Sequence, residues 1–228
     1  MIRFGSPRRV RRARAAGALA LLACAIASAP SLAYEHRQST PSFGMQGGFG
    51  KLYGSQVFHA ANWPGGATDF KIADVTQWGP SIDIGVRFVL DRSHALGFGF
   101  DDLRYRRKGG YTQGQSDALP NWVKFTTFHA DYYLYFQRRS KASYYLAPFI
   151  GFQQQEMRWK HSGQPQAAVP EVAPGEYRFL YGGTLGTEYF IGRSFSFDGG
   201  VRMFMLSQKG GMSVAFQPAL GFQVYVIS

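Results

Sequence analysis

Residues 213–228 read "SVAFQPALGFQVYVIS". Apolar residues occupy every second position: Val214, Phe216, Pro218, Leu220, Phe222, Val224 and Val226. Successive side chains of a β-strand point to opposite faces, so the pattern predicts one strand with one apolar face. Ordinary soluble strands average about 5–6 residues, and chain ends usually fray. A strand this long at the end of the chain needs a surface to cover it.

The opposite end narrows what that surface is. Residues 1–33 begin with six arginines and no acid, continue through an apolar stretch near Ala15–Ala29, and close on Ser31-Leu32-Ala33. That order is expected of an export signal cleaved near Ala33, its apolar part too short for a membrane anchor. Leu21-Leu22-Ala23-Cys24 also resembles a lipidation signal loosely, which would place a lipid on Cys24. Cleavage leaves 195 of 228 residues, enough for one domain at 34–228. Removing six of 25 basic residues leaves 19 against 14 acidic ones, so net charge falls from +11 to +5. Much of the basic character thus belongs to the signal, and no nucleic-acid partner is expected. The single cysteine leaves with the signal, which excludes a disulfide framework and a thiol nucleophile.

The mature stretch carries no apolar run of about 20 residues, so no transmembrane helix is expected. Eight alternating segments recur instead: 42–53, 78–90, 95–107, 122–137, 143–159, 177–191, 195–206 and 213–228. In the second, Ile82, Ile84, Val86, Phe88 and Leu90 oppose Asp83, Gly85 and Arg87. In the fourth, Phe128, Ala130, Tyr132, Leu134 and Phe136 oppose His129, Asp131, Tyr133 and Tyr135. The connectors run long, short, long, short, long, short, short. Tight connectors make antiparallel neighbours, so one end of the sheet carries tight turns and the other large loops. Membrane-spanning strands need about 9–11 residues, which these reach. Aromatics cluster near the short turns, at Tyr132, Tyr133, Tyr135, Tyr144 and Tyr145, and again at Tyr189, Phe190, Phe195 and Phe197. The expected fold is all-β: an eight-stranded antiparallel up-and-down transmembrane β-barrel. Its last strand faces lipid and pairs with the first, so that no edge is left unbonded.

With the signal, the loop alternation and the terminal strand, the chain resembles the small eight-stranded outer-membrane barrels of Gram-negative bacteria, of the outer-membrane protein A and opacity types. The resemblance implies location in the outer membrane and lipid and lipopolysaccharide as surroundings. It also implies the barrel assembly machinery as a partner. Gly221, Val224 and Val226 lie in a stretch, Gly221–Val226, that resembles the terminal assembly signal, although the chain ends Ile227-Ser228 where many members end on Phe or Trp.

Alternation puts Asp83, Arg87, Asp101, His129, Asp131, Glu188, Asp198 and Arg202 on the inward face with Gln217 and Gln223. An eight-stranded lumen is about filled by its own side chains, so these groups are expected to pair as a polar network. A narrow gated pathway is the functional alternative. His129 and Asp131 could form a general base, but a serine partner is missing, and only Thr126 and Thr127 lie close in sequence. A satisfied interior histidine is the preferred reading. "GMQGGFG" (44–50, after Phe43) is read as barrel strand, because no Lys-Ser/Thr follows it. Arg104, Arg106, Arg107 and Lys108 gather at the loop end of the third segment. If that end is external they would meet lipopolysaccharide phosphates; a solvated rim is the alternative.

No catalytic, metal or cofactor site is expected. The leading function is a non-enzymatic outer-membrane protein whose external loops carry a structural or surface-interaction role. One alternative is a lipid A-modifying enzyme using His129. Another is a soluble periplasmic lipocalin-like barrel, with Ile82, Phe98, Leu134 and Phe222 turned inward around a hydrophobic ligand. A passive pore is weaker, because the lumen is filled. Oligomeric state is open.

Overall fold

The computed structural model describes residues 40–54, 57–60, 64–66, 68–136, 141–158, 177–192, 194–208 and 211–226. Residues 1–39, including the export-signal reading and Cys24, lie outside them, as do Ile227 and Ser228.

The eight barrel strands are β1 (Pro41–Gly54), β4 (Gly79–Val89), β5 (His94–Arg106), β6 (Trp122–Phe136), β7 (Ala142–Arg158), β8 (Tyr177–Phe190), β9 (Phe195–Gln208) and β10 (Gly211–Tyr225). They run from 11 to 17 residues and close in the order β1-β10-β9-β8-β7-β6-β5-β4. Every neighbouring pair is antiparallel. The terminal strand meets the first from Ser42↔Tyr225 to Gly54↔Ser213, which removes the sheet edge.

The short turns have local causes. Asp91 accepts bonds from the backbone N–H groups of Ser93 and His94 at 2.6 and 2.9 Å, and Gly192 turns the chain between β8 and β9 at φ 99°. At the other end, the β1–β4 connection folds into a hairpin of β2 (Val57–Ala60) and β3 (Thr68–Lys71), then the short helix α1 (Ile72–Val75). The β5–β6 connection carries α2 (Gln113–Ala118). Neither helix nor the hairpin follows from alternation in the sequence. All three are too short to show a period of their own.

The greasy face is outside. Ile82 is 53% and Phe98 52% exposed, and Leu134 and Phe222 also sit on the outer wall. The lipocalin-like arrangement needed all four inside and is therefore not the one adopted. Alternation also divides the aromatic cluster at the short turns. Tyr132, Tyr144 and Phe197 face out, whereas Tyr133, Tyr135, Tyr145 and Phe190 are buried in the lumen.

The lumen has layers. At the loop end, Leu52, Leu103, Phe125, Phe149, Leu180 and Phe204 form an apolar storey that Ile72 and Val75 of α1 and Leu119 cover. At the turn end, Val89, Phe190 and Tyr225 pack together. The charged groups lie between.

Candidate functional site

Two sets of polar groups stand out, one inside the barrel and one on its outer rim.

Inside, Arg87 of β4 crosses the lumen. Its Nη1 donates to Tyr135 Oη at 2.7 Å and to Glu188 Oε2 at 3.1 Å, and its Nη2 to Asp198 Oδ2 at 2.7 Å. The guanidinium lies 3.9 Å from the Tyr133 ring centroid. Tyr145 donates to Asp198 at 2.6 Å, and Tyr225 and Ser196 donate to Glu188. Arg87, Glu188 and Asp198 are each at most 2% exposed. Burial of three charges is tolerable because every carboxylate oxygen of Glu188 and Asp198 accepts at least one bond and both Nη atoms of Arg87 donate, while Arg87 Nε has no hydrogen-bond partner among the described residues.

Above it, Arg202 of β9 reaches back across. Its Nη1 lies 2.7 Å from Asp83 Oδ2, and its Nη2 3.8 Å from Asp131 Oδ1. His129 Nδ1 is 2.6 Å from Asp131 Oδ2, and its Nε2 is 3.5 Å from Asp83 and 3.3 Å from Arg202. Both ring nitrogens therefore face lumen charges, and among the described residues no serine or threonine hydroxyl is hydrogen-bonded to His129. Asp101 accepts a bond from Gln217 Nε2 at 3.2 Å. Gln223 accepts one from Ser42 at 3.3 Å.

A cavity of about 30 Å³ lies beside this cluster, lined by Gly44, Gly85, Gly97 and Gly99 with Asp83 and His129. Pairing sets Gly44, Gly85 and Gly99 side by side across β1, β4 and β5. The space that side chains at Gly44 and Gly99 would take is filled by Gln223 and His129, and the cavity that remains is water-sized. Among the described residues no group of three or more His, Cys, Asp or Glu is placed to hold a metal.

The rim shows a change of phase. Along β5 the apolar residues Leu96, Phe98 and Phe100 occupy even, outward positions; beyond them Leu103 and Tyr105 occupy odd, inward ones. Along β6 the same exchange separates Phe128 from Phe125 and Val123. Past the change, the outward positions held by Asp102, Arg104, Arg106 and Lys124 are polar, with Trp122 beyond them at the end of β6. The strands there turn from lipid-facing to water-facing, apolar in and polar out.

The four rim cations do not form one patch. Arg104, 57% exposed at its side chain, is bound to Asp102 by two bonds of 3.2 and 3.1 Å, and Lys124 approaches the same carboxylate at 3.2 Å. Arg106 is exposed on the outer wall. Arg107 donates to the Leu119 carbonyl at 3.3 Å and Lys108 to that of Asp74 at 2.5 Å. Lys51, not singled out from the sequence, donates to the Thr76 carbonyl at 2.8 Å. Arg107, Lys108 and Lys51 thus tie the loop segments carrying α1 and Leu119 down over the mouth. Tyr105, between the arginines in sequence, faces the lumen and is fully buried. A basic residue on an outward position beside a loop was the signal for Lys51.

In the terminal strand, Val224 and Val226 face outward, and Gly221 packs where a Cβ would press on the Met45 carbonyl and Gln46.

A closed, antiparallel eight-stranded barrel with an apolar outer belt and a charged, filled lumen is a transmembrane β-barrel fold, and small outer-membrane proteins of known structure share it. The crystal structure of Neisserial surface protein A matches with a TM-score of 0.50 at 15% identity, over 80% of this chain and 96% of that one. The outer membrane protein OprG from Pseudomonas aeruginosa matches with a TM-score of 0.51 at 11% identity, over 84% and 98%. At these identities the likeness is one of fold. No protein-family model matches the sequence, and no curated protein matches it either.

Proposed function

We propose that the protein is an integral, non-enzymatic barrel of the outer membrane of a Gram-negative bacterium, and that its surface role is carried by the loop end. The apolar belt on the outer wall supports this reading most strongly, because a water-soluble barrel would leave that belt uncovered. The non-enzymatic part is supported by His129, whose ring nitrogens are held by Asp131, Asp83 and Arg202 inside the lumen, away from any lipid surface.

The geometry redistributes the rim residues proposed to meet lipopolysaccharide phosphates. Arg106 is the open cation of the original four. Arg104 and Lys124 share Asp102, and Glu156 stands opposite Lys124 on the same outer wall, so the net positive charge at the level where the strands turn from apolar to polar comes from Arg106. Arg107 and Lys108 act on the loops. Anionic headgroups would therefore meet the wall beside Arg104, Arg106 and Lys124.

The test compares thermal unfolding in lipopolysaccharide-containing vesicles with unfolding in zwitterionic phospholipid vesicles. The wild type is expected to gain stability from lipopolysaccharide, and R106A/K124A to lose most of that gain while matching the wild type in phospholipid. An equal gain in both proteins would overturn the rim assignment. Gly221, Val224 and Val226 are proposed as the assembly-machinery signal; Val224→Asp should slow membrane insertion in cells more than refolding into detergent.

A further inference from the structure

Among the described residues, two interruptions break the ladders of the barrel wall, and both lie at a proline. Between β1 and β10 pairing runs to Gly48↔Ala219 and resumes at Lys51↔Phe216, which sets Phe49 opposite Pro218. Between β6 and β7 it stops at Asp131↔Phe149 and resumes at Leu134↔Leu146, which sets Tyr132 opposite Pro148. Proline has no N–H, so the carbonyl facing it across the seam loses its donor. Each proline is paired normally on its other side, Pro218 with Val201 and Pro148 with Gly183. The other six ladders run unbroken.

The two seams lie opposite each other in the strand order. They divide the barrel into two shells of four strands, β7-β8-β9-β10 and β6-β5-β4-β1. Among the described residues, all four arginine–carboxylate contacts of the lumen join one shell to the other. Arg87 belongs to the second shell and meets Glu188 and Asp198 of the first. Arg202 belongs to the first and meets Asp83 and Asp131 of the second. The bond from Gln217 to Asp101 crosses in the same way.

We infer that the barrel is two half-shells hinged at proline seams and held shut by a reciprocal pair of arginine clasps through the lumen. In hydrocarbon no water replaces a missing backbone donor, so each seam is the local weak line of the wall. Each clasp sits where it closes the seams at a distance, by pulling the two shells together. Releasing one clasp therefore loosens the seams before it loosens the unbroken ladders.

Hydrogen exchange of the full barrel in phospholipid nanodiscs, followed by mass spectrometry, tests this. In R202M and in R87M, amides of Gly47–Lys51, Val214–Ala219, Ala130–Leu134 and Leu146–Phe149 should exchange at least about tenfold faster, with the β8–β9 ladder changing by less than about twofold. Pro218→Val and Pro148→Val restore a donor and should slow exchange at their own seam in the otherwise wild-type protein. This second pair of variants decides the matter even if an arginine variant does not fold. Acceleration spread evenly over all ladders, or proline variants that leave seam exchange unchanged, would overturn the inference.

Discussion

Arg87 is bound by two carboxylates and stands on a tyrosine ring, all in a space from which water is largely excluded. Removing one partner of such a group leaves the rest as buried, uncompensated charge. Arg87→Ala is therefore expected to cost about 3–5 kcal/mol, read as a lower urea midpoint in phospholipid bilayers. Arg104 also pairs with a carboxylate, but in solvent, and Arg104→Ala is expected to cost less than about 1 kcal/mol. Equal losses in the two variants would contradict the assignment of one to the lumen and the other to the rim. Gly221 has a purely local duty as well: its missing Cβ lets β10 approach Met45 and Gln46 of β1. Gly221→Ala should impair closure even when refolding takes place in detergent without any assembly machinery. Normal refolding yield would remove that packing role.

At the scale of a strand, the eight segments were legible because period-two alternation survives wherever one face is buried in lipid and the other in the lumen. Ile82 to Phe88 and Val214 to Val226 show it without a break. The inward charges were legible from the same alternation, since Asp83, Arg87, His129 and Asp131 all fall on the polar phase. Which charge meets which was not legible. Arg87 and Glu188 lie on strands that are not neighbours, and their meeting depends on the stagger of the closed barrel. The apolar upper storey was also missed, although the sequence carries its sign: in β5 the apolar phase passes from Phe100 to Leu103, and in β6 from Phe125 to Phe128. That exchange marks where the wall leaves lipid. It predicts that Phe98→Arg costs about 2–4 kcal/mol and that a charge on the outer wall beyond the exchange costs about 0–1. Single arginines at successive outward positions of β5, measured by unfolding in bilayers, would show the step between Phe100 and Asp102. A uniform cost along the strand would show that the phase change is not the lipid boundary. The short helix α1 was invisible, because four residues have no period and Ile72 and Val75 are placed by the barrel beneath them.

For the molecule as a whole, the lumen is charged in its middle and closed by apolar side chains at both ends. Water cannot cross the storey formed by Leu52, Leu103, Phe125 and Phe204, so the wild-type barrel is expected to add no steady ionic conductance to a planar bilayer. Reproducible single-channel steps would show that this storey opens. In the proposed arrangement the closed barrel turns its apolar belt to the lipid of the outer membrane. The most direct check is the electrophoretic mobility of the mature protein, recovered by cell fractionation and run unboiled and boiled. Recovery with outer membranes, and a fast unboiled band that shifts on boiling, is the predicted result. Recovery in the soluble periplasmic fraction, with one mobility under both conditions, would contradict it.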